Sequence, residues 1–151
     1  MDTKTILVVE DELGPRESLK MILGSKYHVE VAENGIKAFE MLSKKNIDGI
    51  TMDLRMPGPS GIEVLKQIKA KFPSIEVLVI TGYGTLRTAL DAMRYGAYNY
   101  ILKPFNIDEI VGTMERMLLK KKKMDQMDFY VHENKMVTER DEVYASSLSL
   151  V

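Results

Sequence analysis

Ile6-Leu7-Val8-Val9-Glu10-Asp11 gives the clearest indication of the architecture, because a continuously apolar run ends there directly in two acids. A strand that is covered on both faces of a sheet has such a run. Three further runs each end in a polar residue, and these are Ile50-Thr51-Met52 before Asp53, Val77-Leu78-Val79-Ile80 before Thr81, and Tyr100-Ile101-Leu102 before Lys103. Segments with helical periodicity separate the runs, so the sequence predicts repeated βα units and a mainly parallel sheet.

The pattern predicts five strands with helices between them. The predicted strands lie at roughly residues 4–10, 27–32, 47–53, 75–81 and 97–102. Residues 27–31 alternate between polar and apolar, which is typical of an edge strand. Two helix starts are also readable: Ser60 and Glu63 form a capping-box pattern, and Asn106 is placed to cap the last helix.

The polar residues at the strand ends are expected to meet. Carboxyl ends of parallel strands share one edge of the sheet, and ligand sites lie there. Glu10, Asp11 and Asp53 would repel one another unless a cation joins them. Lys103 and the Thr81 hydroxyl beside them suit an anion. The combination favours a site for carboxylates, a divalent metal and a phosphoryl group.

The bulk composition excludes several classes of function. The 151-residue chain is 45% hydrophobic and 28% charged, with a formal net charge of -1. This charge gives no reason to expect nucleic acid or an anionic membrane as a partner. Cysteine is absent, which excludes disulfides and thiolate chemistry. We find no signal-peptide pattern or membrane span, so a cytoplasmic location is expected.

The last part of the chain has no clear amphipathic pattern. The helical periodicity fades near Leu119, and we predict a domain over 1–119 followed by a helix extension, linker or mobile tail over 120–151. Continuing heptad spacing gives a poor coiled-coil seam because Lys121 and Asp128 interrupt it. Its members are Ile110, Met114, Met117, Lys121, Met124, Asp128 and Val131.

Four motifs together give the sequence a family resemblance. They are Val8-Val9-Glu10-Asp11-Glu12, Met52-Asp53-Leu54-Arg55-Met56-Pro57-Gly58, Ile80-Thr81-Gly82 and Tyr100-Ile101-Leu102-Lys103-Pro104-Phe105. Over about residues 4–119 the chain resembles the receiver domains of bacterial two-component response regulators, above all those of nitrogen-regulation-type transcription activators. The resemblance implies an α/β fold, a doubly wound, flavodoxin-like (βα)5 with five parallel strands in the order 2-1-3-4-5.

The resemblance also implies a role for each site residue. Asp53 would be the phosphoacceptor for a sensor histidine kinase, and the cofactor would be Mg²⁺. Metal ligation would come from Asp11, Asp53 and the backbone carbonyl of Arg55, with Glu10 acting through a water. Lys103 would pair with phosphoryl oxygens, and Thr81 would donate a hydrogen bond to one. The chain would be a signalling domain rather than an enzyme, assisting only its own phosphorylation and autodephosphorylation.

Thr81 and Tyr100 would form the switch. The phosphoryl group would draw the Thr81 hydroxyl inward, and Tyr100 would move from an outward to a buried position. The face built by the fourth helix, fifth strand and fifth helix (roughly 85–119) would then bind an output partner or a second copy of the chain. The resemblance further implies a cis Lys103-Pro104 peptide. Arg55 and Tyr83 are bulky enough to screen water from the site, so we expect a long-lived phosphoaspartate.

Other functions fit the sequence less well. A flavin-binding flavodoxin is disfavoured because Glu10-Asp11-Glu12 would repel a phosphate, and a P-loop enzyme would need a Gly-Lys-Ser/Thr sequence. An aspartate-nucleophile phosphatase would need an acid where Arg55 stands. The alternative that stays open is a degenerate or stand-alone receiver, acting as a protein-interaction or phosphorelay shuttle module. We expect no direct DNA binding by this chain.

Overall fold

The structure, a computed structural model, describes residues 3–149, with the side chains of residue 128 and residues 132–149 excepted. Strands and helices alternate along the chain. The strands are β1 (Thr5–Val9), β2 (His28–Ala32), β3 (Gly49–Met52), β4 (Glu76–Thr81) and β5 (Asn99–Leu102). The helices are α1 (Leu13–Gly24), α2 (Gly35–Lys44), α3 (Gly61–Lys71), α4 (Leu86–Arg94) and α5 (Ile107–Ser149). All five predicted strands are present, each one to three residues shorter than the sequence pattern suggested.

The strands form one parallel sheet in the order β2-β1-β3-β4-β5, which confirms the predicted fold class. The hydrogen-bond ladder continues just beyond the strands. The Asp53 N–H donates to the Val9 carbonyl (3.1 Å), and the Lys103 N–H donates to the Thr81 carbonyl (2.9 Å). The ladder therefore brings the polar residues that follow neighbouring strands into line at one edge of the sheet.

A hydrophobic core covers each face of the sheet. Successive residues of a strand point to opposite faces, so Leu7 and Val9 belong to one core and Ile6 and Val8 to the other. The first core is closed by α2, α3 and α4, and the second by α1 and α5. In β2 the residues are less buried, as the alternating pattern predicted for an edge strand.

Polar side chains fix the starts of the helices that flank the site. The Ser60 hydroxyl accepts a hydrogen bond from the Glu63 N–H (3.3 Å) at the start of α3. The reciprocal half of the predicted capping box is not formed, because the Glu63 carboxylate instead accepts from the Gln67 amide (3.5 Å). At α5 the Asn106 side chain accepts from the Asp108 N–H (2.8 Å), so the predicted cap is confirmed.

Helix α5 continues without a break from Ile107 to Ser149. Its residues Ile110, Met114 and Met117 are fully buried in the core of the domain. These three residues belong to the core face of the helix, so the first part of the heptad row is not free to contact another helix. Exposed apolar side chains on the extension include Met127 and Tyr130, and also Met124 and Val131 from the heptad row itself. The domain boundary at residue 119 stays a prediction.

Within the part of the chain that the structure describes, no helix combines the length and the apolar character needed to cross a membrane.

Candidate functional site

The structure brings the predicted site residues together around Asp53. Asp53 directly follows β3 and is only 5% exposed. Its Oδ1 atom accepts hydrogen bonds from the Thr81 hydroxyl (2.7 Å) and from the Arg55 N–H (3.0 Å). Its Oδ2 atom accepts from the Lys103 ammonium (2.9 Å). Residues at or just beyond the carboxyl ends of β3, β4 and β5 thus hold both oxygens of a single carboxylate.

Lys103 links Asp53 to a second buried acid. Its ammonium donates to Oε1 of Glu10, which follows β1 and is 1% exposed, and the Glu12 N–H reaches Oε2 of Glu10 at 3.4 Å. Burial raises the pKa of Glu10 to about 7, although the hydrogen bond from Lys103 opposes this change. Lys103 is therefore the cation that compensates two neighbouring carboxylates.

Asp53 and Lys103 both stay charged in this environment. Burial alone would raise the pKa of Asp53, but hydrogen bonds from the Arg55 N–H, Lys103 and Thr81 stabilise its ionised form and lower the pKa below the usual value. Burial alone would lower the pKa of Lys103, but its bonds to Glu10 and Asp53 raise it above the usual value. The carboxylate expected to act as nucleophile is thus ionised at neutral pH.

The acidic cluster also has the features of a metal site. Glu10, Asp11 and Asp53 each offer one carboxylate oxygen, and these atoms lie within 4.8 Å of one another. Oδ1 of Asp11 is buried without a hydrogen-bond partner among the residues that the structure describes. A buried carboxylate oxygen left in this way requires an explanation such as a bound ion or water. Because Mg²⁺ prefers oxygen ligands, these three residues fit it.

Two glycines allow the loops of the site to approach each other closely. A Cβ atom on Gly61 would lie 2.4 Å from the Cα of Leu54, and a Cβ atom on Gly84 would lie 2.2 Å from Cδ2 of Leu102. Gly82, the last residue of the Ile80-Thr81-Gly82 motif, is different. A Cβ atom there would meet Lys103 at 3.9 Å, an ordinary contact, so crowding within the domain gives no reason for this glycine.

The predicted switch residues are joined through Tyr83. The Tyr83 N–H donates to the Thr81 hydroxyl (3.1 Å), and the Tyr83 carbonyl accepts from the Tyr100 hydroxyl (2.8 Å). Tyr100 is half-buried and packs against the core between the sheet and α2–α4. A hydrogen-bonded path therefore runs from Asp53 through Thr81 and Tyr83 to β5.

Sequence reasoning missed two contacts at the site. The Arg55 guanidinium stacks over the Tyr83 ring, 4.7 Å from its centroid, and so bridges the loops that follow β3 and β4. Nη1 of Arg16 lies 3.4 Å from the carbonyl oxygens of both Glu10 and Asp11. In the sequence, only the bulk of Arg55 and Tyr83 pointed to the contact between these two residues. No sequence pattern indicated the contact of Arg16 with the two carbonyl oxygens. The Lys103-Pro104 peptide is cis, as the resemblance implied.

Comparisons with known proteins agree with this geometry. Residues 6–115 match the family model described as the response regulator receiver domain. Over 114 residues the chain is 40% identical to the transcriptional regulatory protein ZraR of Klebsiella oxytoca, covering 75% of this chain and 26% of that protein. Over 119 residues it is 37% identical to the DNA-binding transcriptional regulator NtrC of Escherichia coli K12, covering 78% of this chain and 25% of that protein.

A solved structure shares both fold and sequence. The response regulator TrrA of Thermotoga maritima, in complex with Mg(2+)-BeF, matches with a TM-score of 0.69 and 36% identity, covering 76% of this chain and 98% of that one. The chain spans only about a quarter of the length of the two curated relatives. The matched family model covers most of the chain and includes every predicted site residue, so the chain belongs to the response regulator receiver domain family of two-component systems.

Proposed function

We propose that this domain accepts a phosphoryl group on Asp53 from a phosphohistidine of a sensor histidine kinase, in a reaction that depends on Mg²⁺. The observation that carries the proposal is the arrangement around Asp53. Lys103 and Thr81 donate hydrogen bonds to its two oxygens, and two further acids, Glu10 and Asp11, lie within metal-binding distance. The TrrA relative, whose structure holds Mg(2+)-BeF, supports the same assignment.

Transfer of the phosphoryl group requires little covalent catalysis by the protein beyond the nucleophile itself. An oxygen of Asp53 attacks phosphorus while the P–N bond of the phosphohistidine breaks, and the departing imidazole takes up a proton from water. Positioning and neutralisation of charge dominate such transfers. The lowered pKa of Asp53 keeps the nucleophile ionised. Lys103 and Thr81, which now donate to Asp53, are placed to donate to the incoming phosphoryl oxygens.

The acidic cluster would hold the cation beside Asp53. Asp11, Asp53 and the Arg55 carbonyl are the proposed ligands, with Glu10 reaching the cation through a water. Bound Mg²⁺ would neutralise negative charge on the phosphoryl oxygens. Asp11 supports this assignment because its buried Oδ1 has no hydrogen-bond partner in the described part of the chain.

Phosphorylation would be read out through the path from Thr81 to Tyr100. The phosphoryl group adds close to two negative charges and offers the Thr81 hydroxyl a new acceptor. Because Thr81 also accepts from the Tyr83 N–H, its movement would shift the carbonyl that holds Tyr100. The neighbouring α4-β5-α5 face exposes Leu90, Met93 and Leu102, which suits a homodimer or an output partner.

The proposal is tested by incubating the protein with Mg²⁺ and acetyl phosphate or phosphoramidate and measuring its intact mass. We expect one phosphoryl adduct, which is lost when Mg²⁺ is chelated and absent from Asp53→Asn. Glu12→Gln is the matched control, since Glu12 is an exposed acid next to the cluster. If the wild type forms no adduct and also fails to bind beryllofluoride, the chain acts instead as a degenerate receiver used for protein interaction.

Further properties of the chain follow from the same proposal. We assign it no catalytic activity beyond assisting its own phosphorylation and autodephosphorylation, and we place it in the cytoplasm. We propose no direct contact of this chain with DNA or a membrane. Sequence-specific protection of a promoter by this chain alone would contradict the statement about DNA.

A further inference from the structure

Arg16 contacts the backbone on both sides of one acidic residue. It lies in the first turn of α1, and its Nη1 atom is 3.4 Å from the Glu10 carbonyl oxygen and 3.4 Å from the Asp11 carbonyl oxygen. The first carbonyl belongs to the peptide group before Asp11, and the second to the peptide group after it. The Arg16 N–H also donates to the Glu12 carbonyl (3.1 Å), which fixes the start of the helix to the same loop.

Asp11 has a particular need for such an anchor. The Glu10 carboxylate is held by Lys103, and that of Asp53 by Lys103 and Thr81. Oδ1 of Asp11 is buried and has no hydrogen-bond partner among residues 3–149 as far as they are described. Like charges within 4.8 Å repel one another, which would turn the Asp11 side chain away before a cation arrives.

We infer that Arg16 is a positioning residue for the cation site, because it clamps the two peptide groups that flank Asp11 and so keeps this carboxylate directed at Glu10 and Asp53. The inference rests on the proposed function, since it assumes that the cluster binds Mg²⁺. Partners that orient metal ligands commonly change metal affinity by about 10–100-fold when they are removed.

The charge of Arg16 makes the direction of the effect decisive. A guanidinium next to a cation site repels the cation, so removing the charge alone would strengthen Mg²⁺ binding. Removing an anchor of Asp11 would weaken it. The sign of the change in Mg²⁺ affinity therefore separates a positioning role from a merely electrostatic one.

The test is a calorimetric titration of the full chain with Mg²⁺. Arg16→Met keeps the length of the apolar stem without donors or charge, and we expect it to weaken Mg²⁺ binding by about 10-fold. Lys20→Met removes a positive charge from an exposed position one turn further along α1, and we expect no weakening. Arg16→Lys keeps a charge but loses the planar guanidinium, so its Mg²⁺ affinity is expected to fall between those of Arg16→Met and Lys20→Met.

A second readout separates affinity from chemistry. In Arg16→Met the Mg²⁺ concentration that gives half-maximal phosphorylation by acetyl phosphate should rise in parallel, while the rate at saturating Mg²⁺ should match that of the wild type. A circular dichroism spectrum of metal-free Arg16→Met that matches the wild type excludes a general loss of structure, which Mg²⁺ itself would partly reverse. Unchanged or tighter Mg²⁺ binding in Arg16→Met overturns the inference. If that variant does not fold, the inference is overturned when Arg16→Lys binds Mg²⁺ with the affinity of the wild type. Failure of the proposed function is distinct, because the wild type itself would then neither bind Mg²⁺ nor form the adduct.

Discussion

Glu10 is expected to destabilise the protein whenever it is ionised and no cation is bound. Burial raises its pKa from the usual value of 4.5 to about 7, even with Lys103 beside it. A group whose pKa is raised in the folded state contributes stability that is fully present below the unfolded value and lost as the pH rises through the folded value. Here the window runs from pH 4.5 to about 7.

Glu10→Gln therefore should stabilise the metal-free protein at alkaline pH, because glutamine imitates the protonated acid at every pH. The raised pKa corresponds to a gain in the free energy of unfolding for Glu10→Gln of about 3 kcal/mol at pH 8, where the acid is ionised in both the folded and unfolded states. At pH 5 the gain is about 1 kcal/mol. The pKa shifts of Asp53 and Lys103 do not change the stability of the protein between pH 5 and pH 8. Stability linked to the lowered pKa of Asp53 is lost only in more acidic solution, and that linked to the raised pKa of Lys103 is lost only in strongly alkaline solution.

The assay is urea unfolding in the presence of a chelator between pH 5 and pH 8, on the wild type, Glu10→Gln and the control Glu12→Gln. We expect the gap between the wild type and Glu10→Gln to widen with pH, while the exposed control stays within about 0.5 kcal/mol of the wild type. Added Mg²⁺ should narrow the gap, since a ligand that binds the folded state stabilises it. A Glu10→Gln protein that is less stable than the wild type at pH 8 would refute the reasoning.

Three other perturbations have definite expected results. Lys103→Met leaves two buried acids without their cation and should lower the free energy of unfolding in urea by about 3 kcal/mol, a loss that Mg²⁺ should reduce. Tyr83→Ala removes the ring under Arg55 and should shorten the phosphoaspartate half-life measured by intact mass; a wild-type half-life of only seconds would contradict the screening that we assign to this pair. Truncation after residue 122 should keep the Tm within about 1 °C of the wild type. Truncation after residue 119 should lower the Tm by about 2 °C, because it also removes Lys120, whose ammonium lies 3.7 Å from the carboxylate of buried Glu76.

The alternation of strands and helices could be predicted from the sequence because it depends on short-range patterns, whereas the order of the strands was implied by the family resemblance. An apolar run such as Ile6–Val9 fixes a buried strand, and parallel pairing then fixes which end of the strand carries the site. Glu10, Asp53 and Lys103 could be placed together for this reason alone. No knowledge of side-chain rotamers was needed, since the ladder aligns the backbone positions.

Contacts made by long side chains could not be predicted from the sequence. Arg16 reaches back across its own helix start to two carbonyl oxygens, a geometry that depends on how the loop after β1 enters α1. The hydrogen bond from Tyr100 to the Tyr83 carbonyl likewise depends on the packing of a loop against β5. Helix α5 shows a related limit: Met114 and Met117 follow helical spacing because they are buried in the core, and spacing alone does not say what a helix faces.

The charges of the site suggest why one lysine is shared between two acids. With all groups ionised, three carboxylates face one ammonium, and burial, with a smaller contribution from the charge of Asp53, raises the pKa of Glu10 to about 7. A divalent cation would restore the balance and remove the need for Lys103 to compensate Glu10. On the proposed function, the cation that the acids require therefore also releases the lysine that the phosphoryl group requires, so that the two halves of the site become ready together.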